Sequence, residues 1–388
     1  MTSTVDHRVD LYSLDAAGLE ALLAGWGEPA FRARQIHDWL YVQRAPDFEA
    51  MRNVPKALRE RLKAETRMGV LELAAEQESA DGTIKRVYRL DDGQLIEAVL
   101  MEYDDERRTA CISTQAGCAM GCVFCATGQM GFARHLTANE IFEQAIYFAR
   151  ELAARGERLS NVVFMGMGEP FHNYDASMEA VRRLMRDLEL GARHITVSTV
   201  GLVPMIRRYA DEGLQVKLAI SLHAATDEER GALLPVNRRY PLRELIGACH
   251  EYVHKTGRRI SFEWTLIEGQ NDTPEQAHAL GKLLRGLKCH VNAIPLNPTP
   301  GFGGGPSASK RAEAFRQVLE SYGVSMTVRV RRGIDINAGC GQLKAEVQRR
   351  GRSASENALP EETGDQLDGD LGGAVAGVEN RIDLDDIE

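Results

Sequence analysis

Three cysteines stand close together in the stretch Cys118-Ala-Met-Gly-Cys122-Val-Phe-Cys125, with gaps of three and two residues between them. Thiolate sulfur is a soft ligand that binds iron–sulfur clusters, zinc or copper(I). Three thiolates are one fewer than the four that usually hold a cubane cluster, so one iron would stay open to a substrate or cofactor. The backbone can wrap around such a site because glycines occupy positions 117, 121 and 128.

Zinc is the main alternative to an iron–sulfur cluster at this site. Zinc sites usually combine two Cys-x-x-Cys halves or add histidines. The nearest histidine, His135, lies ten residues after the last cysteine and has no second histidine close to it in the sequence. The ligand set therefore favours iron–sulfur over zinc. Phe124 stays open between core packing and a flat surface for the ring of a ligand.

A repeating strand–helix pattern begins at Cys111 and predicts parallel βαβ units. Apolar strand-like runs lie at 111–115, 161–165, 194–198, 216–222, 259–266, 290–296 and 325–330. Helical segments fit between them, at 137–155, 175–188, 202–212, 227–234, 241–256, 274–285 and 310–322. In folds of this kind the reacting groups lie at the carboxyl ends of the strands, which is also where the cysteine loop falls.

Small polar groups follow four of these strands at the same end. Gly168 and Glu169 come just after the second strand, where a glycine admits a ligand to the backbone and a carboxylate accepts from an ammonium group. The further candidates at strand ends are Ser198, Ser221, Leu222, His223 and Asn297. Each one alone fits an ordinary turn or cap, but together they predict a site for a ligand that carries a sugar and an amino acid.

Other candidate residues are ambiguous from local pattern. Glu97 lies within an alternating strand, which favours the solvent face over a role in proton transfer. Cys111 opens the strand before the cysteine loop and is most simply a core residue. Cys340 lies between two glycines, which expose a thiol rather than bury it. Cys249 and Cys289 are expected to be buried, inert thiols on helices.

Length and composition bound the class of protein. The 388 residues predict a helical N-terminal domain at 1–75, a β-hairpin linker at 76–104, an α/β core at 105–345 and an acidic disordered tail at 346–388. No apolar run approaches the ~20 residues that cross a membrane, and the N-terminus has no apolar signal-peptide centre. Seven clustered cysteines argue against a secreted disulfide framework. We therefore expect a cytoplasmic protein, and a monomer for want of an interface signal.

The net charge of −9 does not describe the predicted folded body. Residues 356–388 carry eleven acidic side chains and one arginine, a charge of −10, so the remaining residues carry about +1. Six basic residues lie between Arg52 and Arg67, against two acidic ones. This stretch is either a solvated helix face, which charge alone favours, or a phosphate-binding patch. Nucleic acid therefore stays open as a partner.

Several motifs together resemble one enzyme family. A Cys-x-x-x-Cys-x-x-Cys loop with an aromatic residue before its last cysteine is similar to the signature of radical S-adenosylmethionine enzymes. Within that superfamily the chain resembles the bacterial dual-specificity ribosomal and transfer RNA adenine methyltransferases over residues 10–345. The motifs that carry the resemblance are FRARQIHDWLY, PKALR, CISTQAGCAMGCVFCATGQMGF, VVFMGMGEP, SLHA, IPLNP and AGCGQL. It implies an α/β fold, an open (βα)6 partial barrel of the TIM type, with a small helical N-terminal domain that helps to hold RNA.

The resemblance also implies roles for individual residues. A [4Fe–4S] cluster would be held by Cys118, Cys122 and Cys125. S-adenosylmethionine would be held by Gly168, Glu169, Ser198, Ser221, Leu222, His223 and Asn297. Cys340 would take a methyl group and lose a hydrogen atom from it to a radical made from a second S-adenosylmethionine, and the methylene would add to carbon 2 of adenosine. Glu97 would then accept a proton, and Cys111 would close a disulfide with Cys340.

The implied substrates are adenosines at the peptidyl transferase centre of 23S rRNA and on the 3′ side of the anticodon in tRNA. A one-electron donor such as flavodoxin or ferredoxin would be needed. The nearest alternative is the related enzyme that methylates carbon 8 of the same ribosomal adenosine, since it shares the cluster and both cysteines. A non-catalytic iron–sulfur RNA-binding protein or redox sensor is the alternative from another class, but it requires no amino-acid pocket.

Overall fold

The computed structural model describes residues 6–299, 301–329, 332–333 and 335–336, so Cys340 and the acidic tail lie outside the described residues. The described helices are Ala16–Gly25 (α1), Phe31–His37 (α2), Lys56–Glu65 (α3), Ala126–Gln129 (α4), Ala138–Ala154 (α5), Tyr174–Asp187 (α6), Val203–Asp211 (α7), Asp227–Leu233 (α8), Leu242–Thr256 (α9), Pro274–Leu284 (α10) and Ser309–Ser321 (α11). None of these helices is long and apolar enough to cross a membrane.

The described strands are Val9–Asp10 (β1), Thr66–Arg67 (β2), Glu72–Glu78 (β3), Ile84–Arg89 (β4), Leu95–Glu102 (β5), Arg108–Cys111 (β6), Gln115–Gly117 (β7), Phe132–His135 (β8), Asn161–Phe164 (β9), Ile195–Thr199 (β10), Lys217–Ser221 (β11), Ile260–Leu266 (β12), Cys289–Pro295 (β13) and Met326–Val328 (β14). Ten of them form one sheet in the order β14-β13-β12-β11-β10-β9-β6-β5-β4-β3. β6 and β9 to β14 run parallel, with helices between them. The predicted open barrel of βα units is confirmed.

The antiparallel strands β3, β4 and β5 extend the same sheet at the β6 edge. The stretch predicted as a hairpin linker therefore hydrogen-bonds directly to the first parallel strand. That first strand covers Arg108–Cys111, not 111–115, so Cys111 ends it. The chain leaves the ladder at Ser113, whose hydroxyl donates to the carbonyl oxygen of Glu97 and accepts from the N–H of Met167.

The parallel strands place apolar side chains on one face and polar ones on the other. In β12, Ile260, Phe262, Trp264 and Leu266 are buried, and the Trp264 ring packs against Phe315 of α11 with ring centroids 5.7 Å apart. The alternate residues point to the opposite face, because side chains alternate along a strand. That inner face is where polar groups collect.

A buried carboxylate of α5 fastens the N-terminal segment to the barrel. Glu143 accepts from the backbone N–H groups of Val70 at 2.7 Å and Leu71 at 3.2 Å. Asn139 donates to Glu143 at 2.6 Å and also to Asp10, which accepts from Gly69 in turn. Burial, with Asp10 close by, raises the pKa of Glu143 well above its usual value. The N-terminal segment is thus held by satisfied polar contacts as well as by apolar packing.

We expect Glu143→Ala to lower the free energy of unfolding by about 3 kcal/mol, because two backbone donors lose their acceptor in a buried place. Urea denaturation followed by circular dichroism measures this change. Glu179→Ala on α6 is the control, since Glu179 is exposed and lies 3.8 Å from Arg182 in a surface ion pair. Exposed pairs contribute about 0–1 kcal/mol. Equal losses in the two variants would contradict the role of Glu143.

Candidate active site and cofactor cavity

A cavity of about 230 Å³ opens at the carboxyl ends of the parallel strands. Eight of the residues predicted for the cluster and S-adenosylmethionine line it: Cys118, Cys122, Cys125, Gly168, Glu169, Ser198, Ser221 and His223. They come from the cysteine loop and from the ends of three neighbouring strands, β9 to β11. The structure therefore brings together residues that lie more than 100 positions apart in the sequence.

Glycines shape the cysteine loop as the sequence predicts. Gly117 and Gly121 have φ values of +88° and +64°, which side-chain-bearing residues rarely adopt. A Cβ atom on Gly117 would lie 2.1 Å from the carbonyl oxygen of Gly131, where the N–H of Cys118 also binds. At Gly128 a Cβ atom would lie 2.9 Å from the carbonyl oxygen of Cys122, so α4 can pack directly on the loop.

The loop after β9 closely approaches the segment that leads into the cysteine loop. A Cβ atom on Gly166 would lie 2.6 Å from the carbonyl oxygen of Ile112. On Gly168, with φ of +102°, it would lie 2.6 Å from Cβ of Gln115. The side-chain oxygen of Gln115 accepts from the N–H of Glu169 at 2.8 Å. Only glycine permits this contact between the two backbones.

The three thiols fit an iron–sulfur cluster. They line one cavity, and burial raises the pKa of Cys118 to about 12 and that of Cys122 well above its usual value. A bound metal reverses this effect, because a coordinating thiol is deprotonated. Among the described residues, no three His, Cys, Asp or Glu side chains are grouped to hold a single metal ion. In a cubane cluster each thiolate binds a different iron, so the sulfurs need not meet at one point.

Glu169 is a buried carboxylate at the cavity wall. Its two oxygens accept from the N–H groups of Phe171 at 2.9 Å and Val200 at 2.8 Å. Burial raises the pKa of Glu169 to about 7, although these hydrogen bonds act in the opposite direction. Each carboxylate oxygen keeps a second lone pair, so the group can still accept from an ammonium group in the cavity.

The hydrogen bonding of His223 fixes which of its two ring nitrogens carries the proton. Its Nδ1 accepts from the N–H of Thr265 at 2.9 Å, which places the ring proton on Nε2. Burial, with Arg230 nearby, lowers the pKa of His223 to about 3, so the ring is neutral. Phe124 packs edge-to-face against it, with ring centroids 4.9 Å apart, and also lines the cavity. Phe124 thus packs against a neighbouring side chain at the cavity wall, and a role as a surface for the ring of a ligand stays a prediction.

Two of the residues assigned by resemblance do not line this cavity. Leu222 is a fully buried core side chain, and its N–H donates to the carbonyl oxygen of Glu263 at 3.0 Å. Asn297 follows β13 and is exposed. Their assignment to S-adenosylmethionine stays a prediction.

Glu263 lines the cavity but was not among the predicted residues. It lies on the inner face of β12, where it accepts from Asn292 at 2.5 Å and from Ser261 at 3.1 Å. Burial raises the pKa of this carboxyl group. A charged residue within the apolar run of 259–266 was the sequence signal that could have identified it.

Glu97 and Cys111 lie on one face of the sheet. Glu97 is 2% exposed and forms an ion pair at 3.1 Å with Lys85 of β4, which is fully buried. The expectation that Glu97 faces solvent is therefore wrong. Cys111 is paired with Val99 in the β5–β6 register, so Glu97 is its diagonal neighbour on the same face, with Cβ atoms somewhat less than roughly 7–8 Å apart.

The remaining cysteines differ in part from expectation. Cys249 is buried on α9, as predicted, and burial raises its pKa above the usual value. Cys289 opens β13 rather than lying on a helix, and it is half-buried. Cys340 lies outside the described residues.

We expect Gly117→Ala to disrupt the cysteine loop and Gly131→Ala to spare it. Both glycines have positive φ, but a Cβ atom on Gly131 meets nothing within 4 Å. The strained backbone alone costs about 1–2 kcal/mol, and the clash at Gly117 adds roughly 2 kcal/mol or more. Urea denaturation and iron content after reconstitution with iron and sulfide measure the outcome. Equal iron retention and stability in the two variants would contradict this account of the loop.

Comparison with known proteins agrees with this architecture. The radical SAM superfamily model matches residues 112–280, and the model of the ribosomal RNA large subunit methyltransferase N-terminal domain matches residues 9–68. The chain is 56% identical over 350 residues to the dual-specificity RNA methyltransferase RlmN 1 of Myxococcus xanthus, covering 89% of this chain and 97% of that protein. It is 50% identical over 348 residues to the dual-specificity RNA methyltransferase RlmN of Anaeromyxobacter dehalogenans, covering 88% and 93%.

A solved structure supports the same grouping. The crystal structure of a radical SAM methyltransferase from Sphaerobacter thermophilus superimposes with a TM-score of 0.82 at 52% sequence identity, covering 86% of this chain and 98% of that one. Sequence and fold agree across both the N-terminal segment and the barrel. The chain therefore belongs to the RlmN family of dual-specificity RNA methyltransferases, within the radical SAM superfamily.

Proposed function

We propose that this enzyme methylates carbon 2 of adenosine in two RNAs of the cytoplasm: at the peptidyl transferase centre of 23S rRNA, and in tRNA on the 3′ side of the anticodon. The observation that carries this proposal is the placement of Glu97 and Cys111 on one buried sheet face, in a chain of this family. A base and a thiol on neighbouring strands are what release of a covalently bound RNA requires.

The cavity at the strand ends supports the cofactor part of the proposal. Cys118, Cys122 and Cys125 would hold a [4Fe–4S] cluster, and the cavity beside them would hold S-adenosylmethionine. When bound, these groups supply a methyl group and a carbon-centred radical. Glu169 would accept from the ammonium group of S-adenosylmethionine, since its carboxylate is the buried anion on that wall. Ser198, Ser221 and His223 offer further polar atoms to the ligand.

Carbon 2 of adenine is an electron-poor ring carbon, so it is not nucleophilic enough to attack the methyl group of a sulfonium directly. The methyl group must therefore first be transferred to a residue of the enzyme. In the proposal Cys340 carries the methyl group, and the RNA becomes attached to its sulfur through the methylene. Glu97 then accepts the proton from carbon 2 while the radical adduct gives up one electron, which the oxidised cluster would take, so the ring becomes aromatic again. The thiolate of Cys111 attacks the sulfur of Cys340, so a disulfide bond forms as the bond between that sulfur and the RNA methylene breaks. The methylene carbon keeps the bonding electron pair and takes a proton, which completes the methyl group.

The N-terminal segment supports an RNA substrate. It matches a domain of ribosomal RNA methyltransferases and carries the basic stretch between Arg52 and Arg67. Part of that charge is neutralised, since Arg61 and Lys63 form surface ion pairs at 2.8 Å with Glu65 and Glu49. Arg52 is exposed on the same stretch, where it can contact phosphates, and so is Lys56, which lies 3.7 Å from Glu60 in a surface ion pair. We propose a monomer that takes its electrons from a flavodoxin or ferredoxin.

The product of the reaction tests this function. We expect reconstituted enzyme, dithionite, S-adenosylmethionine with a fully deuterated methyl group and protein-free 23S rRNA to give 2-methyladenosine in a nucleoside digest. Its methyl group should keep two of its three deuterium atoms, because one is removed while the methyl is on Cys340. Mass spectrometry reads both the position and the isotope count. The 8-methyl isomer would replace the carbon 2 assignment, and full retention of deuterium would exclude the Cys340 route.

We expect Cys111→Ala to accumulate enzyme that is covalently linked to RNA, because the tether to Cys340 then has no thiol to resolve it. Denaturing gel electrophoresis with labelled RNA detects the adduct. The double variant Cys111→Ala, Cys340→Ala should form none, which assigns the linkage. Normal turnover by Cys111→Ala, with free methylated RNA, would contradict the role of this thiol.

A further inference from the structure

Arg230 of α8 is a fully buried cation behind the cofactor cavity. Its guanidinium donates to neutral oxygens: to the side chain of Asn237 at 2.8 Å, and to the carbonyl groups of Val200 at 2.6 Å and Ser221 at 3.4 Å. Among the described residues its Nε–H has no hydrogen-bond partner. Asn237 in turn donates to the carboxylate of Asp227 at 3.0 Å, and within the described part of the chain Arg230 forms no ion pair with a carboxylate.

A buried charge without a directly paired counter-charge is costly for a protein. Hydrogen bonds to neutral carbonyl and amide oxygens lower this cost but do not balance the charge. Arg230 is therefore unlike Arg183 of α6, another buried arginine, which forms an ion pair with Asp187 at 3.3 Å. A negative charge that binds close to Arg230 would account for the difference.

A negative charge of this kind would be bound by the cysteine loop, which lies next to α8. The N–H of Val123 donates to the carbonyl oxygen of Leu233, the last residue of α8, at 3.1 Å. Val200, whose carbonyl binds Arg230, also donates to Glu169. Burial lowers the pKa of Arg230 to about 10, and negative charge on Cys122 acts in the opposite direction. Arg230 thus binds the carbonyl groups of two cavity-lining residues, and the helix that carries it is hydrogen-bonded to the cysteine loop.

We propose that Arg230 is a positioning residue whose buried positive charge balances the thiolates of the bound cluster and raises the reduction potential of that cluster. The proposal rests on the proposed function only in that the cavity holds an iron–sulfur cluster. Binding of the cluster converts neutral thiols into anionic ligands beside Arg230. Reduction then adds one further negative charge, which a nearby cation favours. Net charge and surrounding groups are established determinants of iron–sulfur potentials.

Two substitutions of Arg230 separate the effect of its charge from the effect of its hydrogen bonds. Arg230→Gln removes the charge but keeps a donor for the strand-end carbonyls, whereas Arg230→Lys keeps the charge with a different arrangement of donors. We expect the midpoint potential of the reconstituted cluster, from a redox titration followed by electron paramagnetic resonance, to become more negative in Arg230→Gln. It should stay close to wild type in Arg230→Lys. An unchanged potential in the Gln variant, or equal shifts in both, would overturn the electrostatic role.

Thermal unfolding supplies a readout that does not depend on turnover. Cluster loading should raise the Tm of wild type by more than it raises that of Arg230→Gln, because the cluster relieves the unbalanced charge only where the arginine is present. An equal rise in Tm on cluster loading in wild type and in Arg230→Gln would overturn the proposal. Arg183→Gln is the matched control, since it removes an arginine that is already paired and should leave the cluster potential unchanged. If Arg230→Gln does not fold, Arg230→Met replaces it as the neutral variant and the same results decide.

Iron and sulfide analysis distinguishes failure of this inference from failure of the proposed function. Wild-type protein that retains no cluster after reconstitution would overturn both. Wild-type protein that retains a cluster, with a potential that does not respond to the charge at position 230, would overturn only the role of Arg230.

Discussion

The close approach of two backbone segments is the constraint on which the site depends. Residues 112–115 and 166–168 approach each other closely because Gly166 and Gly168 lack the Cβ atoms that would collide with Ile112 and Gln115, and Gly117 in the same way permits the approach of Gly131. Gln115 then bridges the two segments through the N–H of Glu169. The cysteine loop and the buried carboxylate are thus placed relative to each other by the main chain. Side chains add charge and shape to a geometry that the glycines permit.

Much of this arrangement could be predicted from sequence because it depends on spacing along one segment. The cysteine loop, the Gly168-Glu169 pair and the alternation of strands and helices all fall in this class. The burial of Glu97 could not be predicted, since alternation shows two faces but not which one is covered. Its partner Lys85 lies on a neighbouring strand, and that pairing depends on register. Strand register is a property of the folded sheet.

Glu263 and Arg230 show a second limit of sequence reasoning. Glu263 is a charge inside an otherwise apolar strand, which indicates a polar partner or a ligand but does not say which, and Arg230 lies in the highly charged helix α8, where nothing marks it as buried. The partners of Arg230 come from β10, β11 and the segment after α8, which meet only at the carboxyl ends of the strands. The assignment of Leu222 and Asn297 to a cofactor came from the resemblance alone, and it stays a prediction, since neither residue lines the cavity.

The parallel strands and the antiparallel extension of the sheet serve different parts of the proposed reaction, so changes in one need not affect the other. The parallel strands carry the cysteine loop and the cavity, which any enzyme of this superfamily needs for its cofactor. β4 and β5 carry Lys85 and Glu97; β5 hydrogen-bonds to the barrel strand β6, and β4 packs against α5 through Tyr88 and Tyr147. Under the proposed function, Glu97, which accepts the proton from carbon 2, lies on this extension, whereas Cys111 ends the adjoining strand β6. A descendant could therefore acquire a different target atom through changes at one sheet edge, with cofactor chemistry inherited intact.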